Sequence, residues 1–267
     1  DYPTRLRECP DAPVLFYFKG NTNLDAARII SIVGTRNMTD YGRELTESFI
    51  KDLAKSIPDV LVVSGLAYGI DICAHRSALR NRLPTVAVLA HGLDRIYPSG
   101  HRNTAVEMLE SGGLLTDYPS GTEPDRPNFL RRNRIVAGMS DCTVVVESAE
   151  KGGSLVTADI AFSYGRDVYS FPGRIGDTHS KGCNHLIREN KAGLITSAGD
   201  LLSALSWDIQ TSATPVQTEL FFSDTDVPAP EQNPVLAIIR TRKEVHINEL
   251  ALALEMPVHK LSTLLFE

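Results

Sequence analysis

From Ile29 to Leu205 the chain alternates short Val/Ile-rich runs with amphipathic stretches, and this alternation constrains its fold more than any other feature. The runs are Ile29–Val33, Val60–Val63, Thr85–Leu89, Thr143–Glu147 and Val168–Phe171. Each is apolar on both alternating faces, as strands covered on both sides of a parallel sheet must be. Between them lie helical patterns at Tyr41–Lys55, Ile70–Arg80, Asn103–Glu110 and Thr157–Tyr164. Strand–helix–strand units of this spacing close through right-handed crossovers, so the expected fold class is α/β, a doubly wound and mostly parallel sheet.

This large domain is assigned to residues 1–207. Residues 208–233 read as a linker: from Gln210 to Asn233 the chain is rich in Pro, Ser, Thr and acids and has no periodicity. Three short helical segments follow in residues 234–267: Pro234–Arg240, Glu249–Leu254 with Asn248 as its N-cap, and Val258–Phe266 opened by Pro257. They suggest a partial winged-helix-like (helix-turn-helix) unit that lacks a wing. Its leucines, Leu252, Leu254, Leu261 and Leu264, exceed what so small a unit buries alone.

The net charge of −6 argues against a globally basic nucleic-acid coat, but the charge is unevenly spread. From Asp208 onward nine acids face four Lys/Arg, so residues 1–207 are near neutral and their cations can gather in one groove. Cys9, Cys73, Cys142 and Cys183 show no metal-ligand spacing and read as reduced, mostly buried thiols. No apolar run approaches the ~20 residues needed to span a bilayer, and the polar, Pro-containing start has no signal-peptide pattern. The expectation is a cytoplasmic protein without membrane contact, metal or cofactor. The first residue is Asp rather than Met, which leaves room for a removed upstream segment.

In open parallel sheets, ligands bind beyond the carboxyl ends of the strands. Three of these ends stand out: Gly34-Thr35-Arg36, Ser64-Gly65-Leu66-Ala67, and Lys151-Gly152-Gly153-Ser154, each followed by a helix. Small residues and free N–H groups at a helix start make an anion site, and Arg36 and Lys151 add fixed positive charge. Small residues also close any tight strand–helix turn, so one such loop alone decides nothing. Three loops with two cations favour a phosphate-bearing ligand. No G-x-G-x-x-G follows the first run and no G-x-x-x-x-G-K-[ST] occurs, which disfavours a dinucleotide and an ATP P-loop. The segment Phe129-Leu130-Arg131-Arg132-Asn133-Arg134-Ile135-Val136 adds a second cation cluster on a helix, which suits a chain of phosphates, although such runs are often merely solvated.

Five motifs in order carry a specific resemblance: SIVGTRNMTDYG (Ser31–Gly42), VSGLAYGIDICAH (Val63–His75), FLRRNRIVAGMSD (Phe129–Asp141), GGSLVTADIA (Gly152–Ala161) and FPGRIGDTHSKGCNHLI (Phe171–Ile187). Across about residues 12–205 the chain resembles the DprA/Smf family. The resemblance implies an extended Rossmann-like fold, homodimerisation, single-stranded DNA binding, and loading of a RecA-type recombinase onto DNA during natural transformation. It carries the DNA contacts to Gly34, Thr35, Arg36, Ser64, Gly65, Ala67, Arg132, Asn133, Arg134, Lys151, Gly153 and Ser154. One departure from the family pattern is Asn190-Lys191-Ala192, where a Gly-Ala is usual.

Other residues fit simpler roles. Asp71 and His75 lie i, i+4 on one helix and are expected to bond to each other rather than to a metal. His101 and His179 are expected in solvated loops. Tyr68, Phe129 and Phe171 flank the inferred groove and either stack bases or simply pack. The acidic C-terminal unit offers only His259 and Lys260 on its candidate recognition helix and is expected to dock a partner rather than read DNA. Asp117 and Glu147 could act as an acid–base pair, but nothing in the sequence brings a nucleophile or an activated water to them. The alternative function is a nucleotide hydrolase of the lysine-decarboxylase-like (phosphoribohydrolase) group. GGSLVTADIA lacks the glutamate that such an enzyme needs after its glycines.

Overall fold

A computed structural model describes residues 2–207 and 246–261. The chain divides into two units, Asp1–Ile209 and Gln210–Glu267. In the first, helix α1 (Thr4–Arg7) and strand β1 (Tyr17–Gly20) lead into β2 (Ile29–Val33), α2 (Asp40–Ser56), β3 (Leu61–Ser64), α3 (Ile70–Arg80) and β4 (Thr85–Val88). Then come α4 (Arg102–Ser111), β5 (Gly113–Thr116), α5 (Arg126–Gly138), β6 (Cys142–Val145), α6 (Gly153–Ser163), β7 (Asp167–Ser170), α7 (Lys181–Arg188), β8 (Gly193–Leu194) and α8 (Ala198–Ala204).

The strands form one sheet in the order β1-β5-β4-β3-β2-β6-β7-β8. Every pairing is parallel except that of β1 with β5. The mostly parallel α/β architecture expected from the alternating runs is therefore present. Alternate residues of the central strands feed two cores. Ile29, Val33, Leu61, Val63, Val86 and Val88 pack on one face with Ile135 and Val136 of α5 and Ala158 and Ala161 of α6. Ile30, Ile32, Val62 and Val144 pack on the other with Phe49, Ile50 and Leu53 of α2 and Ile70 and Ala74 of α3. At ~25 cal/mol per Å² of apolar surface removed from water, this two-sided burial is the main force holding the domain together.

Three strands escape the alternating pattern. Strand β5 reads GLLT, with only two apolar residues after Gly112 and Gly113, and β1 (YFKG) is a half-exposed antiparallel edge. Strand β8 has only two residues. All four cysteines are buried, free thiols.

The second unit is described only in part. Helix α9 (Ile247–Ala253) starts two residues earlier than expected, and His246 rather than Asn248 is its N-cap, its side chain accepting from the Asn248 N–H at 3.3 Å. Leu250 and Leu261 are buried together, with Leu254 packed against them, while Leu252 is exposed. Pro234–Arg240, Leu264 and the end of Val258–Phe266 lie outside the described residues. Among the described residues, no helix is long and apolar enough to cross a membrane.

Candidate nucleic-acid interface

Strands β2 and β6 are neighbours, and the sheet grows away from them in opposite directions, so its topological switch point lies between their carboxyl ends. A cavity of about 780 Å³ opens there. Ten of the twelve residues implied by the resemblance line it: Gly34, Thr35, Arg36, Gly65, Ala67, Arg132, Asn133, Lys151, Gly153 and Ser154. Ser64 and Arg134 do not.

The three strand ends are not equivalent. After β2, the N-terminus of α2 is already occupied by a carboxylate of the protein itself. Glu147, 1% exposed, accepts from the Thr39 N–H at 2.9 Å and from the Thr39 hydroxyl at 2.6 Å, while Thr39 caps the helix through Gly42. After β3, Asp71 turns back from the first turn of α3 and its Oδ2 accepts from the N–H groups of Gly65 at 3.2 Å and Ala67 at 3.4 Å. Burial pushes the Asp71 carboxyl up, and the nearby Arg132 guanidinium and these amides pull it back down. After β6, helix α6 starts at Gly152-Gly153-Ser154 with no acid in its first turn. Among the described residues, that helix end alone faces the cavity without an internal anion.

The basic residues also separate. Arg36, Arg126 and Lys151 are exposed on the cavity wall, and none has a carboxylate partner among the described residues. The Arg36 guanidinium lies 5.2 Å from the centre of the Phe129 ring, whose other neighbour is Tyr97 at 5.8 Å. Arg132, implied by the resemblance as a DNA contact, is 4% exposed on the cavity floor, and its Nη1 donates to the Val88 carbonyl at 2.8 Å. Its Nε has no protein partner. Gly65 makes room for it, since a Cβ there would stand 1.8 Å from Arg132 Nη1.

Two further residues of the expected set are placed elsewhere. Arg134 points away from the cavity, pairing with Asp117 at 2.6 Å and donating to the Asp11 carbonyl. Ser64 is fully buried and donates to the Ile32 carbonyl at 2.6 Å. One position along a strand, or two along a helix, turns a side chain to the opposite side, which a motif does not reveal. The sequence reading missed Arg126 and Tyr97. Arg126 was legible as the first residue after Asp125, the N-cap of α5; nothing in the sequence marked Tyr97.

Several simpler expectations also change. Asp71 and His75 do not bond to each other: His75 Nδ1 meets the Thr85 hydroxyl at 2.7 Å, and burial lowers its pKa to about 3. His101 is buried, with Nδ1 2.8 Å from the Leu66 carbonyl, and His179 is half-buried. Phe171 packs edge-on against Phe49 in the core, whereas Tyr68 is exposed beside His101. Asp117 and Glu147 are tied to Arg134 and Thr39 and form no acid–base pair with each other. Among the described residues, no group of His, Cys, Asp or Glu could hold a metal ion.

Known proteins share this frame. The sequence profile of the family described as DNA recombination-mediator protein A matches residues 1–206. The DNA processing protein DprA of Streptococcus pneumoniae is 40% identical over 202 residues, covering 76% of this chain and 70% of that protein. The protein Smf of Synechocystis is 41% identical over 209 residues, 77% of this chain but 52% of its own length. The X-ray structure of the Streptococcus pneumoniae protein superposes with a TM-score of 0.72 over 76% of this chain and 70% of its own. The DprA of Helicobacter pylori, solved for its single-stranded DNA binding mode, superposes with a TM-score of 0.71 at 30% identity, over 78% of this chain and 94% of that one.

Proposed function

Since the chain belongs to the DprA/Smf family of DNA recombination-mediator proteins, and so to the DNA-processing proteins, we propose that its switch-point cavity binds single-stranded DNA through the backbone, with little dependence on sequence. The observation that carries this reading is the pairing of one unfilled helix N-terminus, at Gly153 and Ser154, with three exposed cations that lack internal partners, Arg36, Arg126 and Lys151. A phosphate at the start of α6 would meet free N–H groups and the positive end of the helix dipole, and neighbouring phosphates would meet the cations. Phe129 and Tyr97 offer faces on which a base can stack.

The experiment is a binding titration of single-stranded and duplex oligonucleotides over a range of salt. Single strands bind more tightly, and log K falls with log salt at a slope of about −0.7 for each phosphate neutralised. Equal affinity for duplex, or binding insensitive to salt, refutes the reading.

The finer roles rest on family membership. They are delivery of the bound strand to a RecA-type recombinase, assembly as a homodimer, action without catalysis, and work in the cytoplasm. Stimulation of recombinase filament formation on protein-coated single strands tests the first, and light scattering tests the second. The hydrolase alternative is not favoured, because the first turn of α6, where its acid–base residue would follow the glycines, holds no acid. Release of free base from nucleoside monophosphates would revive it.

A further inference from the structure

A carboxylate facing a phosphate-binding cavity calls for an explanation, because it opposes the ligand. Asp71 lines the cavity beside Gly65 and Ala67, and it is 7% exposed. Its Oδ2 takes both of their N–H groups, the same donors that a phosphate would seek at this strand end. Arg132 runs through the gap left by the missing side chain of Gly65, so the floor is a packed unit of loop, carboxylate and guanidinium. Gly69, at φ +77, lets the chain turn from this loop into α3, and a Cβ there would stand 2.1 Å from the Thr35 carbonyl. The loop after β3 thus braces the loop after β2, which carries Arg36.

We propose that Asp71 is a positioning residue that substitutes for a bound anion: it fills the amide pair of Gly65 and Ala67, fixes the cavity floor, and confines phosphate binding to the α6 end and the exposed cations. This rests on the single-strand reading, and it removes Gly65 and Ala67 from the set of direct phosphate donors. It also gives Asp71 two separable effects. Its acceptor oxygen holds the loop, which favours binding. Its charge repels the strand, which opposes binding.

The test compares the full chain with Asp71→Asn and Asp71→Ala. In the free protein, amide hydrogen exchange at Gly65 and Ala67 is slow in the parent and in Asp71→Asn, which keeps an acceptor, and about tenfold or more faster in Asp71→Ala. Toward a single-stranded oligonucleotide, Asp71→Asn binds at least as tightly as the parent, and its salt slope steepens toward one further unit of about 0.7. Asp71→Ala binds about tenfold more weakly at low salt despite the same gain in charge. Should Asp71→Ala not fold, the affinity and slope of Asp71→Asn decide alone.

The proposal is overturned if both variants lose affinity equally, which would mean that the floor depends on the carboxylate charge beside the Arg132 guanidinium and not on its acceptor oxygen. It is also overturned if exchange at Gly65 and Ala67 is the same in Asp71→Ala as in the parent. If the parent binds no single strand, the functional reading fails, while the exchange comparison still decides whether Asp71 holds the loop.

Discussion

The ends of β3 and β6 use the same vocabulary and reach opposite results. Ser64-Gly65-Leu66-Ala67 and Ser148 to Ser154 are both rich in small residues, both lead into a helix, and both border one cavity. The first is closed by Asp71 in the opening turn of its helix; the second has no acid in that position and stays open. Glycines make a close approach possible, but the first turn of the following helix decides whether an external anion is needed. An acid there supplies the charge that the helix dipole and free amides favour. Its absence leaves that role to a ligand.

The largest effect that can break this comparison lies at the third strand end. Glu147→Ala removes the internal anion from α2 and leaves the Thr39 N–H and hydroxyl without their acceptor in a buried site. The cost is about 2–4 kcal/mol of stability, read from chemical denaturation. If the loop after β2 were built to receive an external anion, the loss would instead be recovered by added phosphate. Next in size are Arg36→Ala and Lys151→Ala. Each lowers single-strand affinity by roughly ten- to a hundredfold at low salt and flattens the salt slope by about 0.7, while thermal stability stays within about 0.5 kcal/mol of the parent. Both side chains are exposed, so this contrast between affinity and stability separates groove residues from those that close the loops.

The open end was readable before the structure and the closed ends were not. Lys151 and Gly153 lie in the loop between β6 and α6, and Arg36 follows the neighbouring strand β2, so the sheet order alone brings this cation to the open end. Asp71 was visible as a residue, but its partner was misassigned to His75 because helical spacing favours i, i+4 pairs. The loop amides, nearer to the carboxylate, won instead, and His75 paired with Thr85 of the adjacent strand. Arg132 and Arg134 show the same limit. Two residues apart on α5, they project in different directions, one under the cavity and one toward Asp117. The cation cluster announced a basic helix without saying which of its charges reach solvent.

The same buried layer predicts how the protein responds to acid. Burial holds His75 neutral, with a pKa of about 3, against about 6.5 for an unfolded chain, and lowers His91 and His101 as well. Between those values the unfolded state binds more protons than the native state, so stability falls as the pH drops below about 6.5 and continues to fall toward 3. From pH 6.5 to 5 the contribution of His75 is on the order of 2 kcal/mol, measured by denaturant titration at the two pH values. His75→Gln should flatten that dependence. An unchanged pH profile would mean that the ring accepts a proton in place, and that the layer beneath the β3 end is less closed than its hydrogen bonds indicate.

The smallest expected effect is the finest test of which arginines on α5 belong to the open end. Arg126 is exposed at the first turn of that helix, on the cavity wall, and has no carboxylate partner among the described residues. Arg126→Ala therefore weakens single-strand binding only about two- to fivefold, because the neighbouring carboxylate of Asp125, the N-cap of α5, offsets part of its charge, and shortens the salt slope by up to about 0.7. Arg134→Ala does the reverse. It leaves affinity and slope unchanged, since its guanidinium is spent on Asp117 and the Asp11 carbonyl. It lowers stability by about 1–2 kcal/mol, because Asp117 is left partly buried and unpaired, with one oxygen that already lacks a partner. Titrations of the two variants at three salt concentrations, paired with denaturant melts, give four numbers that must divide in this pattern. If Arg134→Ala instead flattens the salt slope while Arg126→Ala does not, the strand runs along the Asp117 side of α5, and the α6 helix end is not where its phosphates begin.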